Sequence, residues 1–217
     1  MEPVFSEDGK VLIRYPVESR RRKYKVPEGV EEIAEGAFRN GRYLWSVSLP
    51  ESIKRIGNFA FENCWRLREI DFPEGLSCIG RHAFSRCEQL KKVDLPHSLE
   101  SLGPGAFSFC YELTEVNVHG KLWNVPIGAF SDCYELEKVT LAASVHTLEC
   151  CAFAHCPRLI AVVVKGRLRH IEYGAFDYCA QLNVSSIDLC GVYISSGAFY
   201  GVLGWTHEIG RDKSGRL

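Results

Sequence analysis

The chain has 217 residues, 46% of them apolar, and a formal net charge of −1. That composition suits one or two folded domains with a sizeable core and is not that of a disordered chain. Near-neutral charge removes any global field that would gather nucleic acid or an acidic partner, and no apolar run approaches the ~18 residues of a membrane span.

The opening segment "MEPVFSEDGK" has no basic stretch followed by an apolar one, so it does not read as a signal peptide. As it stands the chain reads as cytoplasmic, or as a module whose export signal is missing. Residues 5–16, "FSEDGKVLIRYP", predict a hairpin, with Asp8-Gly9 as the turn between Val4-Phe5 and Val11-Leu12-Ile13. A basic run follows: Arg20, Arg21, Arg22, Lys23 and Lys25. Such a run can hold nucleic acid, heparin or anionic lipid. With Glu18, Glu28, Glu31 and Glu32 nearby it reads instead as a solvated loop before the first coil.

The chain then repeats. Ala-Phe occurs at 37–38, 60–61, 83–84, 106–107, 129–130, 152–153, 175–176 and 198–199, always 23 residues apart. Repeats of this length are the mark of a solenoid. Three residues after the Phe stand Gly41, Cys64, Cys87, Cys110, Cys133, Cys156, Cys179 and Val202. Leu44 to Leu182 open the next unit, and Val47, Ile70, Val93, Val116, Val139 and Val162 follow three residues later. The unit reads C-x-x-L-x-x-V-x-L-P-x-x-L-x-x-I-G-x-x-A-F. Its apolar alternation predicts a short strand with one buried face, beginning around Tyr24 to Val26 in the first coil. Pro50, Pro73 and Pro96 turn the chain, a second apolar pair such as Leu76 and Ile79 runs back, and the Phe points inward. A single coil encloses no core, whereas stacked coils do, with strands ~4.8 Å apart in one continuous parallel sheet.

This unit resembles the BspA-like type of leucine-rich repeat, whose pattern ends in I-G-x-x-A-F-x-x-C-x-x-L, over about residues 24–205. The resemblance implies a repeat solenoid: an arc with a parallel β-sheet on its concave face, and short second strands with turns or short helical turns on the other side. Residues 1–23 would form an N-terminal hairpin cap, and 206–217 a polar tail. Members are known mainly from cell-surface and secreted proteins of host-associated microbes and some protists, and are usually taken to bind proteins or mediate adhesion.

Six cysteines, 64, 87, 110, 133, 156 and 179, share one column. They read as a structural ladder of free thiols, because a stacked column points its Cβ vectors in parallel and disfavours disulfides. His146, Cys150, Cys151, His155 and Cys156 cluster in sequence with soft-ligand chemistry that could hold zinc. Cys156 belongs to the ladder, however, and Cys151 stands where Gly105, Gly128 and Gly174 stand in other units, so metal binding is a remote alternative.

Outward positions of the strands form the first candidate binding face: Glu69, Asp71, Lys92, Asp94, Glu115, Asn117, Lys138 and Thr140, turning apolar toward Ile160, Ala161 and Val163. The alternating signs of Glu69, Lys92, Glu115 and Lys138 would screen one another across adjacent strands. Asp71 and Asp94 would also neighbour each other. With no third acid, no nucleophile and no cleft expected, and with Lys91 and Lys92 beside them, they do not read as catalytic. Trp65, Tyr111 and Tyr134 make a second candidate, an aromatic edge.

Toward the C-terminus the pattern weakens at Ser185, Gly191, Val202 and Trp205, as a cap or a truncated array would. The functional expectation is a monomeric, non-enzymatic module that binds a protein, without cofactor, nucleic acid or membrane insertion. An intracellular scaffold or inhibitor is the alternative.

Overall fold

The structure, a computed structural model, describes residues 2–205; the expected polar tail 206–217 lies outside the described residues. Hairpin strands β1 (Val4–Phe5) and β2 (Val11–Arg14) come first. Main and second strands then alternate: β3 (Lys23–Lys25), β4 (Glu32–Ile33), β5 (Ser46–Ser48), β6 (Arg55–Ile56), β7 (Glu69–Asp71), β8 (Cys78–Ile79), β9 (Lys92–Leu95), β10 (Ser101–Leu102), β11 (Glu115–Val118), β12 (Asn124–Val125), β13 (Lys138–Leu141), β14 (Thr147–Leu148), β15 (Ala161–Val164), β16 (His170–Ile171) and β17 (Tyr193–Ile194). All pairs but the hairpin are parallel, and the register advances by one repeat: Lys92 faces Glu115, Glu115 faces Lys138, and Lys138 faces Ala161. The chain is a repeat solenoid. Turns fill its far side, and among the described residues the one helical turn is a 3-10 segment at Val184–Ser186.

Hydrogen bonds join the coils along three lines. The main and second strands give two. The Ala-Phe turn gives the third, because the Phe N–H donates to the Ala carbonyl of the next coil: Phe61 to Ala83 at 2.7 Å, Phe107 to Ala129 at 2.8 Å, Phe153 to Ala175 at 2.9 Å. To make this turn, the residue before each Ala and the second residue after each Phe adopt left-handed backbone. The first column includes Phe59, His82 and Cys151, and the second includes Asn63, Phe109 and Tyr178. Glycine is the easy occupant of such a position. At Gly105 a Cβ would lie 2.3 Å from the His82 ring, so a larger residue there would also displace that imidazole.

Inside, the phenylalanines stack. Ring centroids of Phe38, Phe61, Phe84 and Phe107 are 4.6, 4.9 and 5.1 Å apart and within 7° of parallel. The column continues through Phe130, Phe153 and Phe176 to Phe199, and Trp205 closes it by stacking on Phe199 at 4.3 Å. At the other end Tyr15 stacks on Phe38 at 5.0 Å, and Tyr24 meets Tyr15 edge-on. Offset ring pairs add ~0.5–1.5 kcal/mol each beyond their buried area.

The hairpin covers the first coil from the second-strand side, where β2 pairs with β4. That placement carries Tyr15 into the phenylalanine column, where its N–H donates to Ala37 as each Phe does one coil later. The expectation of one continuous parallel sheet is corrected. The main strands divide into β3-β5-β7 and β9-β11-β13-β15, and the second strands divide after β10. Two rungs are missing at the second break. Gly57, Gly80 and Gly103 donate to Ile33, Ile56 and Ile79, but Pro126 stands in the next coil and has no N–H to give, and neither Trp123 nor Asn124 donates to Glu100 as Glu100 and Ser101 donate to Ser77. At the first break the rung from Lys91 N to Arg68 O stretches to 3.5 Å. Phe72, the one ring in a Leu, Val and Ile column, turns edge-on to Phe84 and Phe107 there.

The solenoid ends are blunted. At the N-terminal end of the main sheet, β3 bears Lys23 and Lys25, which discourage edge pairing. At the other end the 3-10 turn replaces a strand, and the Ser186 hydroxyl accepts the Val162 N–H at 3.2 Å. No helix among the described residues is long and apolar enough to cross a membrane.

The column makes two opposite predictions. Phe107→Ala should lower stability by about 3–5 kcal/mol in guanidinium unfolding. Tyr15 is buried with its hydroxyl unpartnered, so Tyr15→Phe should raise stability by about 1 kcal/mol. A loss of stability in Tyr15→Phe would show that the hydroxyl has a partner.

Candidate interaction surface

The main-sheet face is built as its register requires, but its charges pair sparsely. Lys92 Nζ lies 3.5 Å from Glu115 Oε2, with both partners partly solvated, so the pair contributes little. Glu69 and Lys92 stand on either side of the sheet break, and neither Glu69 nor Lys138 makes an ion pair among the described residues. Asn117 is half-buried beside Asp94 and Thr140 in the ladder, and Val163 remains 42% exposed.

The same break opens a cleft of about 270 Å³ over Ile70, Phe72 and Leu95. Asp71, Glu74, Asp94, His97 and His119 line it. His119 Nε2 sits 2.8 Å from Asp94 Oδ1, the His97 and His119 rings stack at 5.0 Å, and His97 Nδ1 is 3.4 Å from Glu74 Oε1. The expectation of no cleft beside Asp71 and Asp94 is therefore corrected. So is the role given to lysine, because the group on Asp94 is an imidazole and Lys92 turns to Glu115. These side chains do not gather on one point: no three His, Cys, Asp or Glu residues among the described residues form a ligand set.

On the coil edge, Trp65 is 46% exposed and its Nε1 donates to the Arg42 carbonyl at 3.2 Å. Tyr111 stacks on Tyr134 at 5.0 Å and 10°, and Tyr134 is exposed. Burial, and then the Tyr134 neighbour, raise the pKa of the Tyr111 hydroxyl and keep it a donor. Two further aromatic features escape the motif reading. Trp45 lies between the guanidinium groups of Arg22 and Arg68, 4.3 and 4.9 Å from its ring centre. On the second-strand side, exposed Trp123 stacks on His146 at 4.1 Å, and Tyr173 and Tyr193 stand exposed nearby along the same face. The signal for the latter is a column one repeat apart, Glu100, Trp123, His146 and Arg169, that lies outside the apolar consensus.

The six in-column cysteines are buried, and each Sγ–H donates to the Phe carbonyl of the coil before: Cys64 to Phe38 at 3.2 Å, Cys110 to Phe84 at 3.4 Å, Cys179 to Phe153 at 3.0 Å. Burial pushes the Cys64 thiol up to about 12 and raises the others as well. Gly41 begins this column, and a Cβ there would stand 2.9 Å from the Phe38 carbonyl oxygen and 3.2 Å from Cys64 Sγ. The sequence cluster at 146–156 disperses. His146 faces Trp123 and Cys150 donates to Glu172 at 3.3 Å. His155 meets Asp132 at 3.1 Å, Cys156 points inward, and Cys151 occupies a left-handed turn position.

The basic run ends inside β3 rather than in a loop, and of the glutamates set against it one pairs with the run's last lysine and two pair outside the run. Glu28 pairs with Lys25, Glu31 with Lys10 and Glu32 with Arg55. Arg20, Arg21 and Arg22 stay exposed without an ion pair among the described residues.

The model of the BspA type leucine rich repeat region matches residues 18–134 and 121–207, with six copies. The chain belongs to the BspA-type leucine-rich repeat family. A leucine-rich repeat protein of Treponema pallidum, solved in the crystal, is 31% identical, with a TM-score of 0.72 over 84% of this chain and 88% of that one. The pneumococcal vaccine antigen PcpA is 25% identical, with a TM-score of 0.65, over 75% of this chain and 40% of the antigen. A leucine-rich repeat protein of Eubacterium ventriosum shares the fold at 22% identity and a TM-score of 0.68; the chain spans 98% of its own length there and 52% of that protein. Among curated proteins none matches the chain.

For this BspA-type chain, thiol accessibility is the direct check on the cysteine column. At pH 8 a disulfide reagent should react quickly only with the four cysteines outside it, Cys78, Cys150, Cys151 and Cys190, and with all ten once the protein is unfolded without reductant. Four or fewer thiols in the unfolded protein would mean that disulfides form.

Proposed function

We propose that this leucine-rich repeat chain is a non-catalytic module that binds a protein through the outer surface of its solenoid. The observation that carries the reading is the set of large side chains left outside a filled core. The stacked phenylalanines and strand aliphatics are almost wholly buried, yet Trp65, Trp123, Tyr134, Ile160, Tyr178 and Tyr193 are 46 to 60% exposed. Aromatic residues with a polar tip are favoured where proteins meet, and a few such anchors carry most of an interface's affinity. The aromatic edge of Trp65, Tyr111 and Tyr134 is the proposed anchor. Glu69, Asp71, Lys92, Asp94, Glu115, Asn117, Lys138 and Thr140 supply a polar flank on the sheet face. The family relationship and the description of the pneumococcal relative as a vaccine antigen support a cell-surface or secreted setting.

A second reading, an intracellular scaffold or inhibitor, is favoured by ten cysteines that stand free in the structure. Fractionation of the source cell separates the two settings.

Quantitative capture of a partner on the immobilised full chain tests the binding reading. Trp65→Ala combined with Tyr134→Ala should weaken capture about tenfold or more, an effect of ~1.4 kcal/mol or above. Reversal of Glu69, Lys92, Glu115 and Lys138 should weaken it less. The reading fails if no saturable capture occurs, or if neither variant changes it.

A further inference from the structure

Charges on the coil edge are matched unevenly. In the C-terminal half, Arg158 reaches both Glu135 and Glu137, and His155 meets Asp132. In the N-terminal half, Arg39 pairs with Glu62. Arg20, Arg22, Arg42, Arg66, Arg68 and Arg86 make no ion pair among the described residues, although all six are exposed.

Several of these guanidinium groups are held in place by rings instead. Arg22 and Arg68 flank Trp45, and Arg86 lies 4.8 Å over the Phe109 ring. A guanidinium stacked by its face keeps its planar fork of N–H donors free at the rim, ordered in advance for a carboxylate. Arg42 and Arg86 lie on two sides of a cleft of about 350 Å³, with the Trp65 ring and the amides of Asn40 and Asn63 in its wall. Asn63 Nδ2 donates to Asn40 Oδ1 at 3.0 Å, which leaves the Asn40 amide donors for an incoming acceptor. The cleft therefore combines two cationic forks, an amide and an exposed aromatic face.

We propose that this N-terminal edge docks an acidic segment of the protein partner, with carboxylates held by Arg42 and Arg86 on either side of Trp65. The proposal rests on the protein-binding reading and names the chemistry of the partner. Charge complementarity carries it: uncompensated arginines stand in a chain whose net charge is −1. A long uniform polyanion fits less well. Glu88 lines the cleft itself and opposes any anion there, and Glu112 follows along the same edge, so an extended phosphate or sulfate chain would meet more repulsion than a short segment. A short acidic stretch ends before Glu112. Attraction of this kind acts over about a Debye length, ~8 Å at physiological salt, so binding weakens as salt rises.

Fluorescence anisotropy with the full chain provides the test. The probes are a labelled Glu-rich peptide carrying a tyrosine, the same peptide with Gln for Glu, a heparin fragment and a single-stranded oligonucleotide. The Glu peptide should bind at least about tenfold more tightly than the Gln peptide and release with added salt. Arg42→Gln with Arg86→Gln, chosen as mild exposed changes and checked by circular dichroism, should reduce its affinity about tenfold or more. Lys165→Gln, an exposed change off this edge, should leave it unchanged. Equal affinity for the two peptides, or full affinity in the double variant, overturns the proposal. It is likewise overturned if heparin or the oligonucleotide binds more tightly than the peptide through the same arginines. If the double variant still captures the protein partner at full strength, the acidic-segment assignment falls while the protein-binding reading stands.

Discussion

One stacked ring per coil sets the geometry of this protein. A phenylalanine column at 4.6–5.7 Å spacing matches the ~4.8 Å separation of paired strands, so rings and backbone ladders can keep the same step. The carbonyls of Phe38, Phe61 and Phe84 each accept twice, from the N–H three residues on within the coil and from the cysteine thiol of the next, and those of Phe107, Phe130 and Phe153 accept the thiol. An insertion in any coil would shift ring, thiol and strand together. That coupling explains why the repeat length is invariant through eight units. It also makes stability a property of neighbour contacts rather than of any single coil.

The regular part of this arrangement is plain in the amino-acid pattern because its cause is periodic. Phe at every step, an alternating Val-x-Leu and a small residue in the cysteine column can be read from spacing alone. Less visible were the places where one residue changes local backbone chemistry. Pro126, which has no N–H to give, removes one rung where the second sheet divides, although it occupies an otherwise ordinary column. Tyr15 stands one repeat before Phe38 but belongs in sequence to the hairpin, so it reads as an end of β2 and not as a ring of the column. Cys151 looks like a metal ligand beside Cys150, yet its backbone is left-handed because the turn demands it.

The candidate surfaces were legible to different degrees. Trp65, Tyr111 and Tyr134 share a column, and stacking of the two tyrosines follows from the step between coils. The His119 contact with Asp94 joins residues 25 apart in sequence, just off the repeat, so a search by column passes over it. Likewise, Glu31 and Glu32 near the basic run in sequence are drawn to Lys10 and Arg55 by the stacking of coils and Glu28 pairs locally with Lys25, which leaves the arginines uncompensated. A rigid column inside thus frees the edges to differ from coil to coil. Near Glu135 and Glu137 the edge carries charges matched by Arg158, and around Trp45 and Phe109 it carries guanidinium groups ordered by the rings.

Native-state hydrogen exchange measures the central role of the ring column most directly. If the column holds the coils, the Phe61, Phe84, Phe107, Phe130 and Phe153 amides should be protected as strongly as those of β9, β11 and β13, although all five lie in turns. Fast exchange at these turn amides beside slow exchange in the strands would contradict the account and leave the sheet as the element that holds the solenoid.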